Sequence, residues 1–212
     1  MPSLAQARAW YADADPIHGF DYVSRVLALA ERIGQAEGAD VEILRAAALL
    51  HDATAATPHD AAGRAAHHLA SADFAAEVLN AEGWPPERIA AVQHCIRAHR
   101  FRDNSEPPAT LEARILFDAD KLDVLGAVGA ARAVGYAALA GQPAYAEPSA
   151  QFFASGQKEP GEPHSAYHEY LFKLSRVRER MHTATARALA SERHAFLAEF
   201  FQRLGAEMRG EG

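Results

Sequence analysis

Apolar residues recur three and four positions apart along almost the whole chain, and no stretch alternates apolar and polar residues long enough to argue a sheet. A chain patterned this way buries one stripe of each helix against the next, so the expected fold class is all-α, a helical bundle. Val23, Val26, Leu27, Ala30 and Ile33 mark the inner stripe of the first informative helix. Asp15-Pro16 is expected to start it and Gly34 or Gly38 to end it. A second helix is expected from Val41 to His51 and Asp52, and a third, after a proline-containing break at 54–59, to about Asn80. A fourth should run from near Glu87 to His99. Thr110 is placed to cap a fifth through Val124, with Gly126 and Gly129 bending or dividing the next, up to Ala140. Residues 141–163 are rich in Gly, Pro, Ser, Gln and Glu and read as a long surface loop. Residues 164–207 return to helical spacing with Leu171, Leu174, Val177, Leu189, Phe196, Phe200 and Leu204. A single domain over 1–212 is expected, with core helices over about 15–140 and additional C-terminal helices packed on the same core.

Composition narrows the function. The 212 residues, 49% of them hydrophobic, suffice for a substantial core. The single cysteine, Cys95, cannot form an intrachain disulfide, and no apolar run approaches the roughly 20 residues of a membrane span. The N-terminus lacks a basic stretch followed by an apolar one. A cytoplasmic protein without a membrane partner is expected. A net charge of −7 argues against a basic surface that holds duplex nucleic acid. Neither GxxxxGK[ST] nor GxGxxG occurs, so a phosphorylated ligand would have to be held by other means. Nothing in the sequence sets an oligomeric state.

Histidine is the outlier, with 11 residues, seven of them between His18 and His99. His51 and Asp52 end the apolar run Ala46-Ala47-Ala48-Leu49-Leu50, so a buried stretch delivers an imidazole and a carboxylate together at the core boundary. Divalent ions favour that mixed donor set. Asp118, Asp120 and Asp123 lie in an otherwise apolar segment; Asp118 and Asp120 point about 200° apart on a helix, so only one of that pair can face an ion directly. His18, Tyr22 and Arg25 share one helical stripe, where Arg25 offers a planar fork for phosphate oxygens. Taken singly, these features also fit a satisfied core histidine, an acidic solvated face and the wet edge of an amphipathic helix, and for the His51-Asp52 pair and the His18 stripe that plainer reading is the stronger.

Their order along the chain resembles the HD superfamily of metal-dependent phosphohydrolases, in which H, HD and D fall on successive helices. Several segments look similar to a bacterial branch of small HD hydrolases that includes nucleotide pyrophosphohydrolases. These are Asp15 to Asp21, Ala46 to Asp52, Ile96-Arg97-Ala98-His99 and Asp118 to Ala127, with Lys173-Leu174, Met181 to Arg187 and Ala190 to Phe200 in the tail. The resemblance implies a divalent ion (Mn, Mg, Ni, Co, Fe or Zn) held by His51, Asp52 and Asp120, with His18 touching it directly or through water and Asp118 in support. One position departs from the family's H-x-x-x-H-x-x-R-V: its second histidine is Tyr22 in this chain, a poor neutral ligand. The implied reaction is attack of metal-bound hydroxide on the phosphorus of a small phosphorylated substrate, a nucleotide by resemblance. Arg25 and Lys121 would offset the charge developing on the phosphate oxygens, and His18 or His99 would protonate or orient the leaving oxygen. His67 and His68 are positioned to meet substrate or a second ion. Two further readings of the same framework are a di-iron HD oxygenase and a nucleotide sensor without catalysis.

Overall fold

The computed structural model describes residues 1–12, 14, 17, 19–54, 61–100 and 106–211, of 61–66 the backbone alone. The fold is all-α; among the described residues there is no strand. The chain divides into two compact units: Met1–Lys121 with His182–Ala186, and Leu122–Met181 with Arg187–Gly212.

The first unit contains α1 (Leu4–Trp10), α2 (Phe20–Glu37), α3 (Val41–Leu50), α4 (Ala61–Ala81), α5 (Pro86–Ala98) and the body of α6 (Leu111–Leu122). The helical spacing did not call for α1; it is started by a capping box in which Ser3 Oγ accepts from Gln6 N (3.2 Å) and Gln6 Oε1 from Ser3 N (2.8 Å). Helix α2 begins at Phe20, later than Asp15-Pro16, which lie outside the described residues. Its end is Gly38, at φ 77°, whose N–H reaches Gly34 O.

Helix α3 packs against α1, α2, α4 and α5, which is why its second half, Ala46–Leu50, is apolar on every side and buried. Asp40 caps it, accepting from Glu42 N (3.0 Å) and Ile43 N (3.1 Å), and also takes a two-pronged contact from Arg88 near the start of α5 (2.9 and 3.2 Å). Arg88 therefore holds the Asp40 carboxyl below its ordinary range. The tie sets the register of α3 and α5. His51 lies eleven residues beyond Asp40 and His99 eleven beyond Arg88, so both helices end at the same height, about 16 Å along, each on a histidine at its C-cap. On α6, Ala113 N donates to Thr110 Oγ1 (3.2 Å), and the helix stops at Leu122, two residues short of Val124. The carboxylate of Asp118 accepts from His182 N, Thr183 N and Thr183 Oγ1, each at 2.8 Å, which fastens the returning segment to this unit.

The second unit contains α7 (Gly126–Leu139), α8 (Ala150–Ser155), α9 (Ala166–Phe172), a 3-10 helix (Leu174–Arg180) and most of α10 (Ala184–Met208). Gly126 and Gly129 lie in the first turn of α7, which begins after a break following Leu122 and continues as one helix to Leu139. At Gly129 a Cβ would fall 2.2 Å from Val124 O, so the tight entry needs glycine there. Helix α8 interrupts the expected loop, capped by Ser149 and ended by Gly156. The rest of that segment gathers on Glu162, whose carboxylate accepts from Ser149 N and Oγ (2.8 and 2.7 Å) and Glu159 N (2.6 Å) and faces His168 Nε2 (3.0 Å). Tyr170 of α9 stacks on Phe201 of α10 with centroids 4.5 Å apart.

Candidate metal centre

The helix ends of the first unit meet around Asp52, the residue after the C-cap of α3. Below it, buried Tyr11 donates from its hydroxyl to Leu49 O (3.0 Å), satisfying a last-turn carbonyl of α3. Beside it, Thr54 N donates to Ser71 Oγ (3.3 Å), and the two hydroxyls lie 3.0 Å apart. Ser71 is one turn beyond His67 on α4, so this contact turns His67 toward the aspartate.

On one side of Asp52, its Oδ1 lies 3.2 Å from His67 Nε2 and 3.5 Å from His99 Nε2, and these three donor atoms lie within 4.8 Å of one another. Oδ1 is buried and, among the described residues, accepts no hydrogen bond. On the other side, Oδ2 lies 3.6 Å from His51 Nε2 and 3.4 Å from the Tyr22 hydroxyl. That hydroxyl is also 2.9 Å from His51 Nε2 and 2.6 Å from Asp120 Oδ1. The second oxygen of Asp120 pairs with the Lys121 ammonium, which sits 5.4 Å over the Phe117 ring.

Backbone carbonyls settle the imidazole protons. His51 Nδ1 meets Ala48 O (2.8 Å) and His99 Nδ1 meets Ile96 O; a carbonyl only accepts, so both Nδ1 atoms donate. On each ring this leaves Nε2 as the nitrogen turned toward Asp52. His51 is fully buried, and burial holds it below the ordinary imidazole range, hence neutral. Burial alone would raise Asp120, yet the Lys121 ammonium holds its carboxyl below the usual range. A carboxylate oxygen facing an imidazole lone pair is two acceptors without a proton between them, and a shared cation reconciles them. Neutral imidazoles with carboxylates are also the donors that a borderline divalent ion takes, so this residue set fits such an ion.

Of the residues singled out in the sequence, His51, Asp52, His67, His99, Asp120 and Lys121 come together here. His68 is buried next to His67, ring centroids 5.8 Å apart, and Arg25 is half-buried on α2 one turn beyond Tyr22. His18 lies outside the described residues. The central place of the Tyr22 hydroxyl was not foreseen; its position on the His18 and Arg25 stripe was the available signal. Tyr11 carried none. Cys95 is buried, which pushes its thiol up to about 12 and leaves it protonated. Among the described residues no single helix is long and apolar enough to cross a membrane.

The HD-domain family profile matches residues 23–125. The uncharacterized protein YpgQ of Bacillus subtilis strain 168 is 34% identical over 217 residues, covering 99% of this chain and 96% of its own. A crystal structure of YpgQ in complex with ADP aligns with a TM-score of 0.75 at 31% identity, over 99% of this chain and 100% of that one. A Lactobacillus plantarum protein of known structure aligns with a TM-score of 0.76 at 30% identity, over 98% and 95% of the two chains. A predicted HD superfamily hydrolase from an uncultured Thermotogales bacterium aligns at 0.65 and 29%, over 97% and 90%.

Proposed function

We propose that this chain, which belongs to the HD-domain family, is a metal-dependent phosphohydrolase acting on a small phosphorylated substrate of the nucleotide type. The observation that carries this reading is Asp52 Oδ1, a buried carboxylate oxygen with no hydrogen bond among the described residues, facing two imidazole nitrogens at 3.2 and 3.5 Å. Asp52, His67 and His99 would hold the ion. When bound, a divalent ion there would polarise a phosphoryl oxygen and lower the pKa of water.

The chain's own residues have separate tasks. The Ala48 and Ile96 carbonyls fix the ring orientations of His51 and His99, so the nitrogens that face Asp52 need no rearrangement. Arg25, on the α2 stripe with Tyr22, presents a guanidinium for phosphate oxygens, and Lys121 adds a second cation for charge developing during phosphoryl transfer. His68 would support His67 from behind, and His18 is proposed as a ligand or as the proton donor to the leaving oxygen. The ADP in the YpgQ crystal structure supports a nucleotide ligand. Cys95, without a disulfide partner in this chain, fits a reducing compartment, and we place the protein in the cytoplasm.

The test is metal analysis of the purified chain followed by phosphate and pyrophosphate release from a panel of nucleotides with Mn²⁺, Mg²⁺, Ni²⁺ or Co²⁺. Metal-dependent release is expected. Tight nucleotide binding without turnover in any metal would replace this reading by a sensor, and two irons with substrate-dependent oxygen uptake would replace it by an oxygenase.

A further inference from the structure

Asp52 offers a carboxylate oxygen to each side, and the described residues fill the two sides differently. On the His67 and His99 side, Asp52 Oδ1 and the two Nε2 atoms lie within 4.8 Å of one another. On the other, Asp52 Oδ2, His51 Nε2 and Asp120 Oδ1 also converge, as three acceptors suited to a cation, but they converge on the Tyr22 hydroxyl, at 3.4, 2.9 and 2.6 Å. Ion–ligand bonds to imidazole and carboxylate are about 2.0–2.2 Å long. An ion bonded to all three acceptors would therefore need the space that the phenol oxygen fills. The hydroxyl supplies one proton where three acceptors meet, and the Lys121 ammonium on Asp120 Oδ2 supplies the positive charge.

We propose that the Tyr22 hydroxyl, with Lys121 behind Asp120, takes the place of a second cation, so that this chain holds one divalent ion, at Asp52, His67 and His99, and that Tyr22 is the residue limiting the centre to one. This rests on the metal-dependent reading above. A histidine nitrogen would turn the obstruction into a fourth donor and leave Asp52 bridging two ions.

The experiment uses the full chain stripped of metal and reloaded with Mn²⁺, with bound ion counted per chain and the Mn²⁺ electron spin resonance recorded. The unsubstituted protein is expected to hold one Mn²⁺ with the six-line signal of an isolated ion. Tyr22→His is expected to hold two, and the six-line signal per ion should collapse as the pair couples. Two ions in the unsubstituted protein, or one in Tyr22→His, would overturn the role of Tyr22 while leaving a metal-dependent phosphohydrolase intact; no bound Mn²⁺ would overturn both. Should Tyr22→His not fold, the position of the single ion still decides. His67→Ala is expected to weaken Mn²⁺ binding by at least about tenfold and Asp120→Asn by less than His67→Ala does, since losing a direct ligand costs at least what losing a supporting group does. The opposite order would overturn the proposal.

Discussion

Removing the Asp52 carboxylate takes away the one group that both halves of the centre share. Asp52→Ala is expected to lower Mn²⁺ affinity by about 100-fold or more and to abolish phosphate release, while the helical circular dichroism stays as it is. Equilibrium dialysis and a turnover assay check this, and retained activity would remove Asp52 from the chemistry. At this scale the sequence was informative about residue type and order: an imidazole and a carboxylate at the end of an all-apolar run, and a later aspartate flanked by Leu116 and Leu122, are legible one after another. Which oxygen of Asp52 each partner faces was not. That depends on the rotation of α4 about its axis, set by the Thr54 and Ser71 contact, and no spacing within α4 encodes it.

Helix ends position the centre, so ties between helices far from it are expected to reach it. Arg88 joins the starts of α3 and α5, and Arg88→Ala is expected to cost about 1 kcal/mol, as a part-exposed ion network does. It should weaken Mn²⁺ binding a few-fold through the paired ends at His51 and His99; unaltered affinity would show the two ends to be independent. A second element answers to acid. The folded pKa of Glu162 is pulled down to about 2: burial opposes ionisation, but His168, Ser149 and Glu159 outweigh it. Because it lies below the ordinary value of 4.5, the stabilisation is complete above about pH 4.5 and is lost as pH falls toward 2. Protection of the amides of Ser149 and Glu159 against hydrogen exchange, relative to the unfolded chain at the same pH, should fall over that window in the intact protein and already at pH 7 in Glu162→Ala. Protection that is flat from pH 6 to 3 would exclude Glu162 as the tie. The composition of 141–163 marked a loop, but α8 and this carboxylate hub escaped it, since a six-residue helix makes less than two turns of any period.

For the whole molecule, an ion that binds only the folded chain adds stability by mass action. Mn²⁺ at about 100 times its dissociation constant contributes about 2.7 kcal/mol, which for a chain of this length is a rise in Tm of roughly 5–10 °C, reversed by a chelator. The gain in hydrogen-exchange protection should concentrate in α3, α4 and α5; an unchanged Tm would mean that no ion is bound at the concentrations used. The all-α class followed from periodicity because helical spacing reports which face of each segment is buried. The division at Lys121 and again at Ala186 was not visible, because spacing names the inward face and not the neighbour that covers it.

The carboxylate of Asp118 takes its three donors from residues 182 and 183, more than sixty positions later. A ribosome emits α6 long before that segment, so during synthesis the α6 carboxylate must wait for partners that do not yet exist, and burial already pushes its pKa up even with them in place. The first unit is thus a structure that cannot be finished in the order in which it is made, and a nascent chain stalled or cut before Thr183 would leave the helix that carries Asp120 without its last fastening.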